Sequence, residues 1–311
     1  MRIVVALGGN ALLQRGQRAD AAAQRENVVI AVEALAELAA EHEVVVTHGN
    51  GPQVGLLALQ GEAYGQVQPY PLDVLGAESE GMIGYMLEQE LVNALGGRPV
   101  ATLLTQVIVD AEDPAFADPT KFIGPVYDRP TSERLAAERG WQVAPDGPHW
   151  RRVVPSPLPR SIVELLTIRL LVEAGVLVVC VGGGGIPVVV DRDGRLRGVE
   201  AVIDKDRAAS LLARGIGADA LLLLTDVAAV ERDFGTDRAA PITHATADEL
   251  LALDLPAGSM GPKVEAAAWF AQATGGRAAI GGLGRAAAVL AGRSGTTVTP
   301  SAAEARADPT S

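Results

Sequence analysis

Of the 26 basic side chains in this 311-residue chain, 23 are arginine and three are lysine: Lys121, Lys205 and Lys263. Where a cation merely solvates a surface this chain uses arginine, so the positions of the lysines call for a reason. Pro262 suits the first position of a helix that Val264, Ala268 and Ala271 continue, which puts Lys263 in its first turn. A cation there opposes the helix dipole unless an anion faces it. Lys205 sits at a second helix start, between Asp204 and Asp206. Either an aspartate caps that helix while Lys205 faces water, or an aspartate holds ammonium groups in place for a phosphate. Lys121 follows Pro119-Thr120, in a stretch where a surface lysine would be ordinary.

Glycines supply the other half of the pattern. Gly8-Gly9-Asn10, Gly49-Asn50-Gly51 and Gly182 to Gly185 each follow a short apolar run. Each alone is compatible with a tight turn between strand and helix. Three together favour an anion site at a sheet edge, where bare backbone and helix N-termini approach phosphate oxygens. Lysines, glycine cradles and no nucleophile–base pair describe phosphoryl transfer, which needs positioning and charge neutralisation more than covalent chemistry. Other phosphate and hydrolase signatures fail. None of the lysines completes a Walker sequence, Pro187 breaks the dinucleotide fingerprint after Gly182 and Gly184, and Gly258-Ser259-Met260-Gly261 has the wrong spacing for a nucleophile elbow.

These residues need a scaffold that brings strand ends together. Ile3 to Leu7, Val44 to Val46, Val176 to Val181 and Leu221 to Leu224 read as strands alternating with helices, the signature of a mainly parallel sheet. Val28, Val32, Leu35 and Ala39 mark one helix; others are expected over Leu75 to Leu95, Ile162 to Ala174, Arg207 to Ala213 and Lys263 to Ala273. Asp191 to Gly194 reads as a hairpin turn between Val188–Val190 and Val199–Ile203. Asp110 to Pro159 is proline-rich, holds Trp141 and Trp150, and shows one helical stretch, Ser132 to Arg139. It reads as a protruding insertion whose tryptophans pack it. The domain reading is an N-terminal acceptor lobe over 1–175, with the insertion at about 110–159, a nucleotide lobe over 176–300, and a disordered tail over 301–311.

Composition excludes several classes. A net charge of −12 and 4% aromatic residues leave no basic field or stacking platform for nucleic acid. Any anionic substrate must be met by a few local cations. One cysteine, Cys180, excludes an intrachain disulfide framework and reads as core, and the four histidines show no metal-ligand spacing. His48 reads as packed, since no step needs its proton. No apolar run reaches membrane-spanning length, and a cytoplasmic, non-membrane protein is the expectation.

An ordered series of segments resembles the carbamate kinases. It comprises Ala6-Leu7-Gly8-Gly9-Asn10-Ala11, Thr47-His48-Gly49-Asn50-Gly51-Pro52-Gln53-Val54-Gly55, and Pro119-Thr120-Lys121 with Ile123-Gly124-Pro125. It continues with Val153 to Pro157, Gly182 to Val189, Gly198 to Asp206 and Pro256 to Lys263. The resemblance implies the amino-acid kinase fold, a three-layer α/β/α sandwich around about eight mainly parallel strands, with a homodimer. It implies ATP plus carbamate exchanging with ADP plus carbamoyl phosphate, with Mg²⁺ on the nucleotide, usually running toward ATP in arginine or related carbamoyl-yielding catabolism. The three lysines fall on that family's catalytic positions and Asp206 on its acidic organiser. Acetylglutamate kinase and other sister enzymes place a lysine where this chain has Ala6. The missing charge is then supplied by Lys121 from the insertion.

On this reading Gly49, Asn50 and Gly51 hold carbamate, and Gly8, Gly9 and Asn10 cradle phosphate oxygens. Gly183 and Gly184 belong to the same substrate-binding set, and Thr225, Asp226, Val227, Met260 and Pro262 contact the nucleotide. Asp226 departs from the glycine that many carbamate kinases carry there. The competing readings are a sister kinase with another small acceptor and a non-catalytic nucleotide sensor.

Overall fold

The computed structural model describes residues 1–9, 12–13, 17, 20–64, 66, 68–255 and 260–301. Asn10, the segment 256–259 and the tail from 302 therefore lie outside the described residues. In chain order the first half contains β1 (Arg2–Leu7), α1 (Ala21–Ala39), β2 (Glu43–His48), α2 (Gly51–Ala63), α3 (Leu72–Ala94), β3 (Val100–Thr102) and β4 (Gln106–Val109). Then come β5 (Lys121–Tyr127), α4 (Arg129–Arg139), β6 (Gln142–Asp146), β7 (His149–Val154), β8 (Pro159–Ile162), α5 (Leu165–Glu173) and β9 (Leu177–Val179). Next are β10 (Ile186–Val190), β11 (Leu196–Gly198), α6 (Lys205–Gly215), β12 (Ala220–Thr225), β13 (Val230–Arg232), β14 (Ala240–Ile242) and β15 (His244–Thr246). The chain closes with α7 (Ala247–Leu251), α8 (Met260–Thr274), β16 (Arg277–Gly282), α9 (Ala286–Leu290) and β17 (Thr296–Thr299).

Eight strands form one sheet in the order β15-β17-β16-β12-β1-β2-β9-β3, parallel except between β16 and β17. Its central strands are buried on both faces. From β1, Val4 and Ala6 point into a core shared with α5, α6 and α8, while Ile3, Val5 and Leu7 join α1, α3 and α9 on the other side. That period-two division of an apolar run is what a strand between two helical layers requires. β9 lies between β2 and β3 although it comes after residue 175, so the two halves of the chain share one sheet. Among the described residues no helix is long and apolar enough to cross a membrane.

Two local expectations change. The hairpin turn at Asp191 to Gly194 is present, but its second strand is β11 (Leu196–Gly198); Val199 to Ile203 lies outside any strand. The helix expected from Ile162 begins instead at Leu165 as α5, because Ile162 closes β8, which pairs with β4.

The insertion carries its own three-stranded sheet, β5-β7-β6, with α4 against it. Trp141 is stacked between the Arg139 and Arg152 guanidinium groups, 4.9 and 4.8 Å from its ring centre, and Arg129 lies 5.5 Å from Trp150. α2 meets β5 through glycine on glycine: a Cβ on Gly55 would overlap the Gly124 backbone, where φ is +70°. That close approach seats the strand that begins with Lys121. Gly55→Ala is expected to lower stability by roughly 1–3 kcal/mol through overpacking. Gly61→Ala on the same helix meets only a carbon of Pro69 at 4.0 Å, and should hold or slightly raise stability because alanine favours helix. Thermal unfolding of the two variants checks the pair.

Candidate active site

The central strands β12, β1, β2 and β9 end side by side, so their following loops meet at one edge of the sheet. Gly9 and Gly49 approach so closely that a Cβ on Gly49 would lie 3.0 Å from the Gly9 nitrogen. The same Cβ would lie 3.5 Å from the Lys205 side-chain stem. The Gly8 and Gly49 N–H groups are engaged by the carbonyls of Leu224 and Leu7, extending the ladder past the strand ends. What these glycines leave open is bare backbone at close quarters, since their N–H groups are already used.

The N-terminus of α2 is differently equipped. Asn50 occupies the cap position but makes no side-chain cap bond. Its amide instead donates to Ser79 Oγ on α3 at 2.8 Å. Pro52 has no N–H to satisfy. A positive helix end without its own side-chain acceptor suits an incoming anion.

Beside it, all three lysines converge on two carboxylates. Lys205 donates to Asp206 Oδ1, and Lys263 reaches Asp206 Oδ2 at 3.1 Å from the first turn of α8. Lys121, from the insertion, donates to Asp204 Oδ2 at 2.5 Å. The other Asp204 oxygen accepts the N–H groups of Asp206 and Arg207 and caps α6. The aspartate is indeed a cap, but Lys205 does not face water: it is 8% exposed, and Asp206 is 3% exposed. Asp204 does two jobs that spacing could not reveal, because its lysine partner is 83 residues away.

The electrostatics follow from burial set against pairing. Burial favours the neutral acid at Asp204, but Lys121 and then Lys205 hold it below the ordinary carboxylate range. Asp206 is likewise pushed up by burial and pulled further down by Lys205 and Lys263. Burial draws Lys205 below the usual lysine value against the pull of Asp206. At Lys263 burial also acts downward, but Asp206 outweighs it and the value is raised. His48 is buried and lowered to about 4, chiefly by desolvation; its Nδ1–H donates to the Gly49 carbonyl at 3.2 Å. It is a packed neutral imidazole, as expected. Cys180 is buried, and desolvation raises its thiol well above the ordinary value.

The remaining glycines act as wedges. A Cβ on Gly183 would overlap the Asn50 amide, and one on Gly184 would overlap the Ile203 carbonyl just before Asp204. Gly183 and Gly184 thus let the loop that opens α2 and the lysine-bearing helix pack against one turn, where the Gly184 N–H already bonds Val181 O at 3.2 Å.

Val227 and Met260 line a mostly apolar cavity of about 120 Å³ with Ala228, Ala229, Phe234 and Leu255, and Glu231 at its wall. Thr225 Oγ1 donates to Asp226 Oδ1 at 3.0 Å just before it, and Pro262 lies in the first turn of α8. Phe234, 64% exposed between Asp233 and Gly235, was not anticipated. An exposed aromatic ring in a loop was the available signal.

Removing the Asp204 charge tests the double role. A depressed carboxyl adds stability that is present above the ordinary carboxylate value and lost as pH falls below it. Asp204→Asn is therefore expected to melt several degrees lower at pH 7, from a weakened cap worth about 1 kcal/mol and a lost ion pair. The gap should narrow as pH falls below about 4, where the carboxyl takes up a proton in the unfolded chain while the folded one stays ionised; thermal unfolding against pH measures it.

The family model described as "Amino acid kinase family" matches residues 1–282. The carbamate kinase of Rhizobium meliloti is 55% identical over 304 residues, covering 97% of this chain and 94% of that protein. A carbamate kinase from Giardia lamblia bound to citric acid superposes with a TM-score of 0.91 at 42% identity, covering 96% of this chain and 98% of that one. The same enzyme bound to AMP-PNP gives 0.86 at 41% identity, with the same coverage of both chains. A lysine-rich centre at the carboxyl edge of a three-layer α/β/α sheet and near-full-length likeness agree: this chain belongs to the amino acid kinase family, within its carbamate kinase branch.

Proposed function

We propose that this chain catalyses reversible phosphoryl transfer between ATP and carbamate, giving ADP and carbamoyl phosphate. The observation that carries the reading is the convergence of its three lysines on Asp204 and Asp206, beside the uncapped N-terminus of α2. A carbamate oxygen attacks the γ-phosphorus, the bond to the β–γ bridging oxygen breaks, and ADP leaves with that electron pair. Carbamate is already anionic, so no general base is needed, and none is offered by the neutral His48. The barrier is repulsion between two anions and charge growing on the bridging oxygen.

Each part of the site answers one of those terms. Gly49, Asn50 and Gly51, at the start of α2, receive carbamate on a positive helix end. Gly8 and Gly9 let phosphates lie against bare backbone, with Asn10 completing that loop in the sequence. Lys205 and Lys263 neutralise the ATP phosphates while Asp206 keeps both ammonium groups aimed, and Lys121 reaches the transferring group from the insertion. The cavity at Val227 and Met260 takes the adenine face. Both site carboxylates are engaged by lysines, and among the described residues no cluster of three or more metal-binding side chains occurs. The residues present therefore fit a Mg²⁺ that arrives on the nucleotide's own phosphate oxygens, where it would neutralise charge. The same reading includes an acceptor lobe and a nucleotide lobe on either side of residue 175, a homodimer and a cytoplasmic setting.

ATP formation from ADP and carbamoyl phosphate, read by a coupled glucose-phosphorylating reaction, tests the function. Activity with glutamate or acetylglutamate in place of carbamate in the ATP-consuming direction would overturn the choice of acceptor. Lys205 is buried beside Gly49 and paired with Asp206, and a planar guanidinium presents its charge in a different size and geometry from the compact ammonium held there. Lys205→Arg should lose roughly two powers of ten in turnover, and a folded variant with near-native turnover would remove its role. Lys121→Met should keep ADP binding and lose transfer; lost ADP binding by titration calorimetry would make the insertion a nucleotide element instead.

A further inference from the structure

The Gly182 turn is held by a side chain that the proposed mechanism does not use. Glu80, on α3, is 1% exposed. Its Oε1 accepts the Gly182 N–H at 2.8 Å and its Oε2 the Thr105 N–H at 3.2 Å. Burial pushes this carboxyl up to about 8 despite both bonds. A buried carboxyl in so costly a place calls for a task.

The backbone it grips is strained. Val181 has φ +54°, a left-handed conformation that a β-branched residue adopts only when its surroundings impose it. Those surroundings are identifiable: Thr105 Oγ1 accepts the Val181 N–H at 3.0 Å, Thr47 Oγ1 donates to the Val181 carbonyl at 2.8 Å, and Glu80 takes the next N–H. The turn so fixed presses on the acceptor side of the site. Gly182 abuts the His48 ring and the Glu80 stem, and Gly183 abuts the Asn50 amide. Asn50 is held from its other side by Ser79, the residue before Glu80. One turn of α3 thus grips both glycine loops.

We propose that Glu80 is a positioning residue for phosphoryl transfer: it locks the strained Val181–Gly183 turn against Asn50 and so fixes the loop that receives the acceptor. This rests on the function proposed above. Glu80 touches neither substrate in that scheme; it acts through Gly182 and Asn50. The nucleotide cavity at Val227 and Met260 lies on other elements, so ADP binding reports a correctly folded centre independently of the turn.

Glu80→Gln is the test, assayed above the carboxyl's value of about 8, where the wild-type carboxylate accepts both N–H groups while an amide accepts from only one and turns a donor on the other. Losing one buried hydrogen bond should lower turnover for ATP formation about 10- to 100-fold, with ADP affinity by calorimetry within about threefold of wild type. Turnover per ADP-binding molecule within about threefold of wild type would overturn the role. Loss of ADP binding together with transfer would also overturn it, by making Glu80 a general core residue. Should that variant not fold, Thr105→Val loosens the same turn with Glu80 in place and should give the same split between turnover and ADP affinity. Wild-type turnover in a folded Thr105→Val would refute the proposal. Wild-type protein that binds ADP but forms no ATP from carbamoyl phosphate would sink the proposed function itself, a result distinct from both.

Discussion

Two aspartates separated by one residue organise this molecule's chemistry. Asp204 and Asp206 sit at the start of α6 and gather every lysine the chain has, from the insertion, from α6 itself and from α8. Buried ammonium groups without such partners would lose their protons or repel one another out of the site. With them, three lysine side chains are held close together and aimed within a chain whose net charge is −12. The local field that two anions need therefore owes nothing to the surface as a whole. It depends on one helix start being built correctly.

The sheet explains why that helix start is where it is. Four parallel strands end together, and the glycines after β1, β2 and β9 allow the loops to approach closely. Gly49 against Gly9, Gly183 against Asn50 and Gly184 against Ile203 are contacts between loops from different strands. α3 then braces the arrangement from behind through Ser79 and Glu80.

Much of this was legible in the sequence, for identifiable reasons. Apolar runs ending in glycine are short and local, so the strands and their carboxyl ends could be read directly. The scarcity of lysine isolated Lys121, Lys205 and Lys263 before any fold was known, and the ordered motifs tied them to one family. Pairings at long range were not legible. Nothing near Lys121 points to Asp204, and nothing near Glu80 points to Gly182. α2 was missed because Gly51, Gly55 and Gly61 weaken its helical signal; Gly51 begins the helix and Gly55 admits the insertion. The apolar residues of Val199 to Ile203 imitate a strand, but Ala201, Val202 and Ile203 are buried by packing while the backbone turns toward α6.

The grip of Asp204 on Lys121 has a consequence for how tightly substrates are retained. In the proposed reaction an arriving phosphoryl group meets an ammonium that already has an internal counter-ion, so part of the attraction goes into displacing that carboxylate. The resting centre carries its own competitor for the ligand. Affinity is thereby tempered for reactant and product alike, and a reaction that runs both ways is kept from stalling on whichever side clings harder.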